Sequence, residues 1–194
     1  WSDRWEAIGA EEAQRRRFVS TIHQESLRLT KLLDEILDLS ALERGERPWD
    51  NVRFDAEAAL DRAIEVCSPL AARRSMQIVI GPRASHAPVD GDADRLCQVL
   101  INLIVNAIKY NDADTPSVEV RSELADDNLV IEVTDNGPGI DPEDSEAIYE
   151  MFTRGERGRT DSTPGAGLGL AISRKIIARM NGTLELAPRK GQGA

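Results

Sequence analysis

A heptad seam near the start of the chain sets the first limit on its architecture. Phe18, Glu25, Leu32 and Leu39 recur every seven residues, and Ile22, Leu29 and Ile36 fill the intermediate seam positions. The spacing predicts one long helix over residues 11–47, with Glu25 as the single charged residue in its seam. Leu33 and Leu37 widen the stripe beyond a two-stranded zipper and suit a helical bundle better. A lone helix cannot bury such a stripe, so it needs partner helices. Gly45 and Pro48 mark its end. Residues 1–10 carry no assignment of their own.

The remainder alternates between the two secondary-structure periods. Val52–Phe54 reads as a short strand, and Asp55 caps a helix running to about Pro69. Met76–Ile80 is a strand closed by Gly81-Pro82. Asp92 or Asp94 opens a strongly apolar helix that reaches Tyr110. Val118, Val120 and Leu124 alternate with polar residues, Asp126-Asp127-Asn128 turns the chain, and Leu129, Ile131 and Val133 return it as a hairpin. Residues 153–164 hold Arg, Gly, Ser and Thr with almost nothing apolar and read as a mobile loop. A helix over about residues 168–180 and a strand at Thr183–Leu186 complete a mixed α+β domain.

Charge and composition remove several classes of function. A net charge of −10 opposes binding of extended polyanions, so nucleic acid and acidic membrane surfaces are not expected partners. No apolar run approaches the ~20 residues that cross a bilayer, and the charged opening stretch does not resemble a signal peptide. The first residue is Trp rather than Met, which fits a piece of a longer protein. The two cysteines, Cys67 and Cys97, have no metal-ligand spacing and read as reduced, buried thiols of a cytoplasmic protein.

Three separated segments carry candidate chemistry. On the central helix Asn102, Asn106 and Lys109 stand at i, i+4 and i+7 and share one face, beside an apolar face of Leu96, Leu100, Leu103 and Ala107. Amides and an amine next to a core are costly unless they bind something. A carboxamide oxygen suits Mg²⁺ and an ammonium suits phosphate; a solvated polar stripe is the other reading. The second segment, Asp135-Asn136-Gly137-Pro138-Gly139-Ile140, follows a strand. Its glycines admit a ligand close to the backbone, and its Asp can accept from the exocyclic amine that adenine has and guanine lacks there. A plain Gly-Pro turn would look the same in isolation. The third, Gly165-Ala166-Gly167-Leu168-Gly169-Leu170, opens a helix and can offer phosphate its backbone N–H groups. A GxGxG alone is weak evidence.

In this order and spacing the segments resemble the catalytic ATP-binding domain of sensor histidine kinases, in the wider superfamily of gyrase, chaperone, kinase and MutL ATPases. Residues 102–110 resemble the N box, 135–140 the first glycine box, Glu150-Met151-Phe152 with Arg154 the F box, and 165–170 the second glycine box. Asn181-Gly182-Thr183 resembles the last glycine-containing element. The resemblance covers about residues 52–193 and implies the two-layer α/β sandwich of the Bergerat ATP-binding fold, preceded by a long helix of a dimeric bundle. Domains at 1–47 and 52–194 follow from it.

Residue by residue, the resemblance implies that Asn106 coordinates Mg²⁺, with Asn102 one turn before it. Lys109 and Tyr110 would lie near the phosphates. Asp135 would bind adenine, with Gly137, Gly139 and Ile140 beside it. Phe152 would pack under a lid formed by residues 153–164, and Arg154 within it would contact the cofactor. Gly165, Gly167, Leu168, Gly169 and Leu170 would approach the phosphates, and Thr183 would support the adenine pocket. The cofactors implied are ATP and Mg²⁺. The partners implied are a second copy of the chain, through the helical region, and a response-regulator receiver domain.

Gyrase-like ATPases carry a glutamate at the position of Asn102, where it activates water. An amide cannot take a proton at neutral pH, so the site suits phosphoryl transfer better than hydrolysis. His23 reads as a helix-surface histidine, with phosphoryl acceptor as the other reading. No Glu follows it directly and no proline comes after, whereas residues 32–43 resemble the second helix of the dimerisation hairpin, whose histidine is not phosphorylated. His86 reads as an exposed loop residue. An ATP-holding pseudokinase is the alternative, a hydrolysing ATPase is disfavoured by Asn102, and the long helix argues against a serine kinase of the anti-sigma type. The implied location is the cytoplasm, free or as the inner part of a membrane-bound sensor.

Overall fold

The computed structural model describes residues 2–44, 49–126, 128–141, 144–151 and 167–187, which form two compact units, 1–44 and 45–194. The first unit is helix α1, Ser2–Arg44. It begins well before residue 11, because residues 2–10 contain no proline and helix formers continue the turn without a seam. Gly45 and Pro48 lie outside the described residues. Along α1 Phe18, Ile22, Leu29 and Leu33 are exposed, with Ile22 at 65%. Glu25, the charged seam residue, pairs with Arg28 at 3.4 Å.

Among its described residues the second unit holds a three-stranded sheet, a two-stranded sheet and three α-helices. Strand β1 (Val52–Asp55) ends in Asp55, whose Oδ1 accepts from the backbone N–H of Glu57 at 3.1 Å and so caps α2 (Ala56–Arg73). The helix does not stop at Pro69. It runs four residues further, because buried Ala71 and half-buried Leu70 pack into the core and outweigh the one backbone bond the proline cannot make.

Strand β2 (Gln77–Ile80) is followed by β3 (Pro88–Gly91), which pairs antiparallel with β1 so that Val52 faces Gly91 and Asp55 faces Pro88. No sequence pattern announces β3. It is short, opens on proline and sits on the edge of a two-stranded sheet, where a missing N–H is tolerated. Helix α3 (Ala93–Tyr110) is capped by Asp92, which accepts from Arg95 N at 3.1 Å. Trp49 lies under the Arg179 guanidinium at 4.6 Å, and Asp50 N donates to Asp92 Oδ2 at 3.3 Å.

Strands β4 (Ser117–Ala125) and β5 (Asn128–Asp135) form the hairpin, with Ala125 opposite Asn128 and Asp126 at φ +48° in the turn. The sheet order is β2-β4-β5, β2 parallel and β5 antiparallel to β4. Val118, Val120 and Ser122 point into the protein, whereas Arg121 pairs across the outer face with Glu132. Helices α2 and α3 cover the inner face around fully buried Leu60, Ile104 and Ile108, giving two layers. Glu57 enters that layer only because Arg83 and Ser122 both bond its carboxylate.

Helix α4 spans Gly169–Arg179 and packs on α3. The segment after it does not form the expected strand. Residues 183–187 alternate in exposure as a strand would, but among the described residues they join no ladder, and a strand needs a partner as well as a period. Among the described residues no helix is long and apolar enough to cross a membrane.

Candidate functional site

The centre of the site is the half-buried face of α3. Leu96, Cys97, Leu100, Ile104, Ala107 and Ile108 face the core, which leaves Asn102, Asn106 and Lys109 together on the adjoining face. Asn102 reaches across to α4, where its Nδ2 donates to Ser173 Oγ at 3.0 Å. Gly169 is pressed against the same amide, and a Cβ there would stand 2.3 Å from Asn102 Oδ1. Asn106, one turn further on, makes no hydrogen bond through its side chain among the described residues. Lys109 Nζ donates to Tyr110 Oη at 2.9 Å and lies 4.5 Å from the centre of that ring. Arg74 closes the end of α3, donating to the carbonyls of Ile108 and Lys109 at 3.1 and 2.9 Å.

The turn after β5 is tied to that same helix end. Asn111, the residue after α3, donates through Nδ2 to Asn136 Oδ1 at 2.9 Å and to Ser117 O at 3.2 Å. Asn136 Oδ1 also accepts from Ser117 N, and its Nδ2 donates to Thr115 O, each at 2.9 Å. Asp135 Oδ1 accepts from Gly137 N at 2.7 Å, which folds the turn back on the carboxylate. Gly137 is buried, and a Cβ on it would meet Asp135 Oδ1 at 2.8 Å and Asn111 Cα at 3.1 Å. Half-buried Gly139 adopts φ +75°, with Ile140 after it.

The third segment reaches α3 through the start of α4. Gly167 turns at φ +71°, Leu168 is fully buried, and Gly169 and Leu170 begin the helix. Leu168 occupies the cap position and no side-chain cap bond is made there, so the first-turn N–H groups of α4 are available to an anion. On the opposite side of α4 from Ser173 an open cavity of about 430 Å³ lies among Tyr149, Met151, Ala171 and Arg174. Arg174 stacks on Tyr149 at 4.6 Å there. None of the amide, aspartate or glycine candidates lines that cavity.

Thus Asn102 and Gly169 are in contact, and Asp135, Gly137 and the end of α3 are joined through Asn111. Thr183 is exposed in the extended segment after α4. Phe152, Arg154 and Gly165, with the predicted lid, lie outside the described residues. His23 is exposed on α1, and His86 Nδ1 lies 3.1 Å from Asp55 Oδ2. Asn111 and Ser173 were not recognisable beforehand, and Asn136 stood in the second segment without a role of its own. Each is a single polar residue with no periodic signal, although the Gly169–Ser173 spacing of four does mark a small-residue notch on α4.

The chain is similar to known proteins in sequence and in fold. Residues 91–194 match the family model described as histidine kinase-, DNA gyrase B-, and HSP90-like ATPase. The sensor-like histidine kinase SenX3 of Mycobacterium tuberculosis (strain ATCC 25618 / H37Rv) is 33% identical over 179 residues, covering 92% of this chain and 43% of the relative. The sensor protein GacS of Pseudomonas syringae pv. syringae is 30% identical over 183 residues, covering 91% of this chain and 20% of GacS. The chain therefore spans from a fifth to under half the length of these relatives. The solved structure of full-length ShkA in complex with AMPPNP superposes with a TM-score of 0.76 at 28% identity, over 92% of this chain and 36% of ShkA.

Proposed function

The chain belongs to the histidine kinase-, DNA gyrase B-, and HSP90-like ATPase family and has the fold of histidine kinase catalytic domains, and from that premise we propose that it binds Mg-ATP and passes the γ-phosphoryl group to a histidine outside these 194 residues. The observation that carries the reading is the convergence on α3 of an adenine-type turn at one end and a glycine-led helix start on its face. A response regulator would then receive the phosphoryl group on an aspartate.

In this reading the Asp135 carboxylate accepts from the exocyclic amine of adenine, and Gly137 and Gly139 leave room for the base. Lys109 and the first N–H groups of α4 take phosphate oxygens. Among the described residues no three His, Cys, Asp or Glu side chains gather to hold a metal. The Asn106 amide oxygen is a hard donor of the kind Mg²⁺ takes and would hold the ion. When bound, Mg²⁺ would neutralise phosphate charge. Asn102 cannot act as a base, and its amide is occupied by Ser173, so nothing at that position activates water. Catalysis reduces to positioning and charge stabilisation.

The exposed apolar stripe of α1, with Phe18, Ile22, Leu29 and Leu33, supports homodimerisation through that helix. A need for ATP fits action in the cytoplasm, free or as the inner part of a membrane-bound sensor. The test is incubation with Mg²⁺ and γ-labelled ATP, with and without the histidine-bearing hairpin of the same protein. Label should move to the hairpin in acid-labile form. Steady release of inorganic phosphate without the hairpin, and no labelled hairpin, would instead identify a hydrolase.

A further inference from the structure

Gly169 and Ser173 stand one turn apart on α4, and the Asn102 side chain fills the notch between them. Its nitrogen donates to Ser173 Oγ at 3.0 Å, while its oxygen lies where a Cβ on Gly169 would come within 2.3 Å. Ser173 is 2% exposed, so water cannot easily replace that partner. The neighbouring buried residues of α4, Ile172 and Ile176, are apolar. Apolar packing specifies volume more than register, whereas a hydrogen bond fixes one axial position and one rotation. Asn106 follows Asn102 by one turn on the same face of α3. Asn102 thus ties the start of α4 to α3 one helical turn from the amide read above as the magnesium ligand.

We propose that Ser173 is a positioning residue, which through Asn102 fixes the start of α4 against Asn106 so that phosphate and magnesium are held together. The inference rests on the nucleotide reading above. It makes a specific demand on binding: the benefit of Mg²⁺ depends on the register of the two helices, whereas binding without Mg²⁺ depends on it far less. A purely structural hydroxyl would alter both alike.

The experiment is titration of the chain with AMPPNP, with and without Mg²⁺, for the wild type, Ser173→Ala, Ser173→Thr, Asn102→Ala and the Ser173→Ala/Asn102→Ala pair, each also melted without nucleotide. Ser173→Ala should cut the Mg²⁺-dependent gain in affinity about tenfold, the scale of one lost hydrogen bond, while affinity without Mg²⁺ stays within about twofold. Ser173→Thr, which keeps the hydroxyl, should recover most of the gain. Ser173→Ala should add nothing in the Asn102→Ala background. Equal weakening with and without Mg²⁺, or no change in a folded Ser173→Ala chain, overturns the proposal and leaves the nucleotide reading intact. A wild type that gains nothing from Mg²⁺ overturns that reading and the proposal with it.

Discussion

Asn111 and Asn136 hydrogen-bond side chain to side chain at 2.9 Å, although 25 positions separate them. That contact joins the end of the helix bearing Asn106 and Lys109 to the turn bearing Asp135 and Gly137. The two halves of the candidate site are thus held by amides that touch no ligand in the proposed reading.

Replacing Asn136 with Ala removes three bonds at 2.9 Å, to Asn111, Ser117 N and Thr115 O. Leaving such partners unmade costs about 1–3 kcal/mol each when buried, and these are exposed, so a total of about 1 kcal/mol is expected. Thermal melting should drop by several degrees, at roughly 2–4 °C per kcal/mol for a chain of this size. ATP affinity should fall with it, because the turn loses its seat. An unchanged melting temperature would show that water replaces the network at no cost.

Gly169→Ala places a methyl 2.3 Å from Asn102 Oδ1, an amide already held by Ser173. Overpacking of this kind costs about 1–3 kcal/mol, and here it pushes α4 from α3. The variant should melt a few degrees lower and lose most Mg-ATP binding. Adding Asn102→Ala should restore the melting temperature, since the collision is then gone. Failure of that restoration would mean the two side chains do not share the space.

These features mark how far the residues could be read in advance. Period-two and period-3.6 patterns made α3, the β4–β5 hairpin and the start of α2 legible, because burial of one face leaves a repeating trace. Strand β3 left none, as Pro88 and Gly91 are turn residues that only the pairing with β1 turns into a ladder. Pro69 misled for the opposite reason: tertiary packing of Leu70 and Ala71 overrode a local breaker. The candidate residues Asn102, Asn106 and Asp135 stood out through their spacing. Their supports Asn111, Asn136 and Ser173 did not, since a single hydrogen-bonding side chain carries meaning only once its partner is known.

Cys67 is buried between α2 and α3, and burial, with a smaller contribution from nearby Cys97, pushes its thiol up to about 11 from the usual 9.0. A raised value means the folded state holds the proton more tightly. Stability from this group is therefore complete below pH 9.0 and is lost as pH rises toward about 11. Native protein at pH 8 should react with a thiol reagent far more slowly than denatured protein. Equal rates would place the thiol at the surface.

The backbone N–H of Ala87, followed by His86, holds the Asp55 carboxyl below its usual 3.8. A lowered folded value stabilises above the unfolded one and is lost as pH falls through the folded one. Asp55→Asn should therefore lower the melting temperature at pH 7, and the gap from the wild type should close below pH 3.8. A gap that persists unchanged at acid pH would assign the effect to the shape of the cap rather than to its charge.

The most direct measurement is calorimetric titration of the wild type and Asp135→Asn with ATP and GTP, each with and without Mg²⁺. The wild type should bind ATP more tightly when Mg²⁺ is present and GTP at least about tenfold more weakly, a margin of about 1.4 kcal/mol. Asp135→Asn should lose ATP binding while melting as the wild type does. Equal affinity for ATP and GTP, or full ATP binding by Asp135→Asn, would contradict a site in which Asp135 reads adenine.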